Sequence, residues 1–159
     1  MRWLVFILLS VFTLAASGKT LGQKQREFSP LVAKLILHAE KLGYQVTLGE
    51  AWRSPEMAML TVPTAQLEDQ VHRLCPMCQV TAFTKWYADR GIGIANSLHT
   101  KRLAIDINLF RAGKYLTDTE DYRPLGEWWE KQCSECRWGG RFVKLPDGNH
   151  FSMEHEGAK

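Results

Sequence analysis

Ser97-Leu98-His99-Thr100-Lys101-Arg102-Leu103-Ala104-Ile105-Asp106-Ile107-Asn108-Leu109-Phe110 is the stretch on which the fold turns. From Leu103 onward the residues alternate: Leu103, Ile105, Ile107 and Leu109 point one way, Ala104, Asp106 and Asn108 the other. A period of two is the signature of a half-buried strand. Asp106 therefore projects from mid-strand, opposite the aliphatic face. Arg111-Ala112-Gly113-Lys114 reads as a hairpin turn into Tyr115-Leu116, which gives the strand an antiparallel neighbour.

Working outward, Ser29 and Pro30 on one side and Gly43 on the other bracket Leu31, Val32, Leu35, Ile36, Ala39 and Leu42. Serine at the N-cap, proline at the first helical position and glycine at a left-handed exit predict one amphipathic helix there. A strand-like run, Tyr44 to Leu48, follows, and Ser54-Pro55-Glu56 repeats the helix-start chemistry directly after Arg53. Arg53 is thus expected at a corner where a strand end meets a helix start. Residues 65–90 carry mixed helical periodicity interrupted at Cys75-Pro76-Met77-Cys78, and Gly91-Ile92-Gly93 breaks it. Downstream, Pro124 to Gln132 predicts a short aromatic helix, while Gly139-Gly140 and Pro146-Asp147-Gly148 punctuate the last strands. Few helices with short, hairpin-linked strands indicate α+β, a small antiparallel sheet packed with helices.

The 159 residues, 45% hydrophobic and 23% charged, suit one compact domain. Their 20 basic and 17 acidic side chains are interspersed, with a net charge of +3, so no basic block marks a nucleic-acid partner. The N-terminus has a different character. After Met1 and Arg2 the chain is apolar from Trp3 to Ala16, interrupted only by Ser10 and Thr13. A spanning helix needs about 20 apolar residues, whereas a secretory segment needs about 7–15 and small residues at the cleavage site. Ala15 and Ser17 supply that pair, which places cleavage near Gly18. The expected organisation is a signal peptide over 1–17, with an uncleaved signal anchor as the competing reading, a polar tether over 18–28, and the folded domain over 29–159. Export to the periplasm or cell envelope follows, with transient membrane contact through the N-terminal segment.

His99 lies in a loop before the alternating strand, Asp106 on it, and Asp147-Gly148-Asn149-His150 ends a glycine-rich stretch. Two imidazoles and a carboxylate can make a zinc site with three protein ligands, leaving the fourth position for water, as catalytic zinc requires. Such water is acidified to a pKa near ~7. A further carboxylate, Asp147, is then needed to accept its proton. The plainer alternative is a solvated strand aspartate and a chance pair of histidines.

The segment Ser97-x-His99-(x)6-Asp106 resembles the signature of the D-alanyl-D-alanine carboxypeptidase and phage-endolysin zinc metallopeptidases, a group related to the hedgehog fold. Trp138-Gly139-Gly140-Arg141-Phe142, followed by Asp147-Gly148-Asn149-His150-Phe151, is similar to the closing motif of the tailed-phage endolysin branch, and Glu50-Ala51-Trp52-Arg53-Ser54-Pro55-Glu56 to its arginine corner. The resemblance runs from about residue 30 to 155. It implies that His99, Asp106 and His150 bind zinc and that Asp147 is the general base. Arg53 would hold a substrate carboxylate or the oxyanion through its planar fork, and Ser97 would be a polar contact at the rim. The chain departs from the pattern at Met57 and Ala58, where the family often has glutamine, and at Arg102, where it often has glycine. The implied activity is hydrolysis of a peptidoglycan stem bond, L-alanyl-D-glutamate, with D-alanyl-D-alanine carboxypeptidase activity as the alternative; peptidoglycan is the expected partner and a monomer the expected state. A non-catalytic zinc-dependent binding module on this fold would be expected to lose the base or a ligand, and here all four positions are filled. His38, His72 and His155 read as surface or structural.

Cys75-x-x-Cys78 and Cys133-x-x-Cys136 form two paired thiol motifs. They suit either a second, structural zinc or disulfides in an exported protein, and either way would tie the segment around Cys75 to the aromatic helix. A thiol redox role would need a βαβ context that is not discernible.

Overall fold

The computed structural model describes residues 18–60 and 97–158. Helix α1, Leu21–Lys41, opens the described chain and is followed by strand β1, Gln45–Leu48, and the short helix α2, Pro55–Leu60. After a 3-10 turn, Leu98–Lys101, come the long strand β2, Ala104–Arg111, and β3, Lys114–Leu116. A second 3-10 turn, Thr119–Tyr122, leads into α3, Arg123–Glu130, then β4, Cys136–Trp138, a third 3-10 turn, Gly139–Arg141, and β5, His150–Met153. The architecture is α+β.

The strand pairs are all antiparallel and run in the order β1-β2-β5-β4, with β3 also on β2. β1 lines one edge of β2, from Gln45 opposite Phe110 to Leu48 opposite Ile107. The other edge is shared: β5 takes its first half, with Asp106 opposite His150, and β3 its second. Ala112 (φ 50°) and Gly113 (φ 75°) make the two-residue turn into β3, and positive φ at both positions matches the right-handed twist of the hairpin strands.

The alternation read from the sequence is the alternation of burial. Leu103, Ile107 and Leu109 are fully buried and Ile105 nearly so. They meet Leu35 and Ala39 of α1, Leu125 and Trp129 of α3, and Phe151 and Met153 of β5 in one core. Each such large apolar side chain contributes about 1.5–3 kcal/mol by leaving water. Trp129 also donates its indole N–H to the Ser152 carbonyl at 3.0 Å, which satisfies the one polar atom its burial brings inside.

Two expectations are corrected. The first helix starts at Leu21, not at Ser29-Pro30, so the stretch read as a polar tether is helical. Thr20 and Gln23 form a reciprocal capping box, which satisfies two orphan N–H groups and gives the helix an earlier start. Leu21, Lys24 and Phe28 extend the inward stripe by two turns; Phe28 meets Trp129 edge-on at 5.7 Å between ring centroids. Lys24 is buried, its ammonium on the Glu154 carbonyl at 2.7 Å and on Glu135 at 2.9 Å. Ser29 lies inside the helix and turns its hydroxyl back to the Gln25 carbonyl at 3.1 Å.

The second correction concerns the cysteines. Cys133 and Cys136 are joined to each other, S–S 2.08 Å, so they bridge the turn between α3 and β4 rather than reach the segment around Cys75. Sulfurs joined in this way offer no thiolate for a structural zinc. Cys75, Cys78, His72 and the glycines of 91–93 lie outside the described residues, as does the N-terminal segment 1–17. Among the described residues, no helix is long and apolar enough to cross a membrane.

Candidate metal centre

Asp106 leaves β2 on the face opposite the aliphatic core, and the β2–β5 register sets His150 directly across from it. Asp106 Oδ1 stands 3.0 Å from His150 Nδ1. The third side chain comes from the 3-10 turn. Ser97 caps that turn by accepting the His99 N–H at 3.3 Å, and Arg102 closes it in the left-handed conformation, φ 54°. That conformation explains why glycine is frequent at this position in the resembled family. Here the arginine side chain lies over the Trp52 ring, 5.8 Å from its centroid. The turn brings His99 Nε2 to 3.3 Å from Asp106 Oδ1 and 3.2 Å from His150 Nδ1.

These three atoms converge on one point, with two imidazole nitrogens and a carboxylate oxygen within 3.0–3.3 Å of one another. In the tautomers that leave a lone pair on each of those nitrogens, the three atoms can ligate one divalent cation together. Two ligands held at about 2.0–2.1 Å from zinc at a tetrahedral angle lie roughly 3.3 Å apart, and the observed spacings of 3.0–3.3 Å meet that requirement. Both histidines are buried and Asp106 is half-buried. Burial disfavours the Asp106 carboxylate, but hydrogen bonds from His150 and His99 outweigh it and hold the pKa well below the usual carboxylate range. The donor set and its spacing fit zinc. His99 Nδ1 is buried and, among the described residues, has no hydrogen-bond partner.

Asp147 is placed by its own backbone. Its N–H donates to the Gly139 carbonyl at 2.9 Å, and its carbonyl accepts the His150 N–H at 3.3 Å. A Cβ at residue 139 would come within 2.4 Å of the Asp147 carbonyl oxygen and 2.8 Å of His150 Cβ, so this close approach requires glycine. Withdrawal from water raises the Asp147 pKa; the charge on Asp106 adds to the rise, and His150 and His99 oppose it. The carboxyl of Asp147 therefore lies in the electrostatic reach of all three ligands. Phe142 lies 5.6 Å from the His150 ring between centroids and walls the same side.

Arg53 sits at the expected corner between β1 and α2. Its backbone N–H donates to the His99 carbonyl at 3.4 Å, and its guanidinium feels the Asp106 charge. Ser97, expected at the rim, is buried with its hydroxyl on the His99 N–H; in this structure it holds the ligand turn. Glu50, the first residue of the arginine motif, has a partner that motif spacing does not predict. The structure places its carboxylate on Arg53, with Nε donating to Oε1 at 2.8 Å and Nη2 to Oε2. A carboxylate three residues before the arginine was the available signal. Of the other histidines, His38 stacks on Trp128 at 4.5 Å, and His155 is buried at the C-terminal bridge with Ala158.

Residues 91–153 match the family described as D-alanyl-D-alanine carboxypeptidase. Among solved structures, the chain is similar to an L-Ala D-Glu endopeptidase, ChiX of Serratia marcescens, at 18% identity over 84% of this chain and 85% of that one, TM-score 0.47. It is also similar to a variant of the vancomycin-resistance D,D-pentapeptidase VanY from a VanB-type cassette in complex with Zn(II), at 20% identity over 80% and 70%, TM-score 0.45. VanYB in complex with D-alanine-D-alanine gives 20% identity over 80% and 69%, TM-score 0.43. No curated protein matches the chain. The segment that is similar to the D-alanyl-D-alanine carboxypeptidase family contains His99, Asp106, Asp147 and His150 together.

Proposed function

We propose that the protein is an exported zinc peptidase of peptidoglycan that hydrolyses a bond of the peptide stem, L-alanyl-D-glutamate. The observation that carries the reading is the convergence of His99 Nε2, Asp106 Oδ1 and His150 Nδ1 within 3.0–3.3 Å of one another, with Asp147 beside them. Zinc held there would acidify a water molecule for attack on the scissile carbonyl. The chain's own groups do the rest. Asp147 accepts the proton of the attacking water and returns it to the leaving amine. Arg53 offers charged N–H groups to a substrate carboxylate or to the oxygen that gains charge during attack.

The choice of bond rests on the similarity of Trp138-Gly139-Gly140 and Asp147-Gly148-Asn149-His150 to the endolysin closing motif. D-alanyl-D-alanine carboxypeptidase activity is the second reading, favoured by the description of the family matched over residues 91–153. Mass analysis of purified peptidoglycan digested by the protein decides between them. New L-alanine and D-glutamate termini are expected; release of free D-alanine alone would establish the alternative.

The N-terminal segment 1–17 is proposed to direct export and to be removed near Gly18, leaving a monomer in the periplasm or cell envelope. Removal there would spare Thr20 and its capping box. N-terminal sequencing of the exported protein tests this, and an intact Met1 on active, membrane-bound protein would make the segment an anchor.

A further inference from the structure

Glu50 and Arg53 are both tied to the ligand-bearing backbone. The Glu50 carbonyl accepts the Asp106 N–H at 2.8 Å, the Asp106 carbonyl accepts the Gly49 N–H at 2.8 Å, and the Arg53 N–H reaches the His99 carbonyl at 3.4 Å. Their side chains then meet as a two-point pair, Nε to Oε1 and Nη2 to Oε2. A guanidinium has five N–H donors in a planar fork. Glu50 takes the two on the Nε edge, and no other hydrogen bond to the Arg53 side chain is found among the described residues. The donors left over are those of the Nη1–Nη2 edge, which can take one further carboxylate in the same plane.

We propose that Glu50 is the positioning residue for Arg53: it grips the Nε edge so that the Nη1 edge is presented to a carboxylate of the substrate. Its second effect is protective. Both side chains are half-buried, at 30% and 24% exposure, where an unpaired cation is costly and seeks the next anion. That anion is the carboxylate of Asp106, whose charge Arg53 already feels. With Glu50 in place, the arginine is neutralised without drawing on a metal ligand. An ordinary surface pair three residues apart is worth at most about 1 kcal/mol and has no bearing on ligand choice; the tie of both backbones to Asp106 and His99 sets this pair apart.

The assignment rests on the peptidase reading, and its test separates the two. In the full zinc-loaded chain, Arg53 Nε–H is followed by NMR, identified by its absence in Arg53→Lys. Binding is measured for L-alanyl-D-glutamate and D-alanyl-D-alanine dipeptides and for their amides, with both carboxyls of the D-glutamate amidated, which lack a free carboxylate. The parent is expected to show a slowly exchanging Nε–H and to bind at least one free acid about tenfold or more tightly than its amide, as charged hydrogen bonds allow. Glu50→Ala should lose both the signal and the preference and, with Arg53 free to draw on Asp106, should hold zinc less tightly than the parent, while Glu50→Gln should keep part of each. If Glu50→Ala does not fold, Glu50→Gln against Glu50→Asp carries the comparison. A parent without acid preference, or a Glu50 variant that retains the parent's full preference, overturns the assignment. A parent that prefers the acids yet cleaves no stem peptide would sink the peptidase reading and leave the Glu50 assignment standing.

Discussion

Asp106 and His150 are register partners across β2 and β5, and their Oδ1 and Nδ1 atoms stand 3.0 Å apart. Sheet pairing itself therefore places two of the three candidate metal ligands, and only His99 depends on a turn. The strands that hold Asp106 and His150 are anchored by the fully buried Leu103, Ile107 and Phe151, so the site is rigid on two sides before any metal binds.

Removal of one ligand should thus cost the metal without costing the fold. His99→Ala, Asp106→Ala and His150→Ala are each expected to lose zinc and hydrolysis together. The loss of affinity should exceed the about 10–100-fold typical of losing an outer-shell partner. Metal analysis with circular dichroism checks it. Chelation of the parent should abolish hydrolysis, and added zinc should restore it.

Helix α1 gives a stability prediction that bears on the first 28 residues. Thr20→Ala removes half of the capping box and should cost about 1 kcal/mol. Phe28→Ala empties the edge-on contact with Trp129 and should cost about 3–5 kcal/mol. A chain beginning at Ser29 loses both, and with them the buried Lys24 contacts to Glu154 and Glu135; it should be markedly less stable in urea than one beginning at Gly18.

Residues with a strict period were legible in the sequence. Leu103 to Leu109, the Ala112-Gly113 turn and the Pro124 helix all fold as their patterns predict, because one buried face or one backbone conformation dictates them. The start of α1 was hidden because its inward position 24 is a lysine, which reads as polar but is buried by finding a carbonyl and a carboxylate. The candidate ligand set came from motif resemblance, and the structure brings His99, Asp106 and His150 together, whereas the hydrogen bonds of Ser97 and Glu50 were not legible. Both act through hydrogen bonds to a neighbouring functional residue, and such bonds depend on side-chain direction that spacing alone does not convey.

The disulfide closes only the short loop from Cys133 to Cys136, and a loop of that size constrains the unfolded chain by about 2 kcal/mol or less. Cys133→Ser with Cys136→Ser is expected to lower stability by no more than that while keeping the catalytic zinc and stem cleavage. Loss of zinc from the folded double variant would show that the two features are coupled.

Asp147 separates binding from chemistry. It sits three residues before His150, fixed by the Gly139 carbonyl on one side and the His150 N–H on the other, so its carboxyl is aimed by backbone bonds that a side-chain change leaves intact. Asparagine keeps its size and its hydrogen bonding but cannot accept a proton. Asp147→Asn should therefore retain zinc and bind stem peptide while kcat falls by roughly 10²–10⁴. Glu154 is a poor substitute because its carboxylate is engaged by Arg137 Nη2 at 2.6 Å. Hydrolysis at the parent rate by zinc-loaded Asp147→Asn would mean that the proton goes to another group, and the assignment of Asp147 as the base would be wrong.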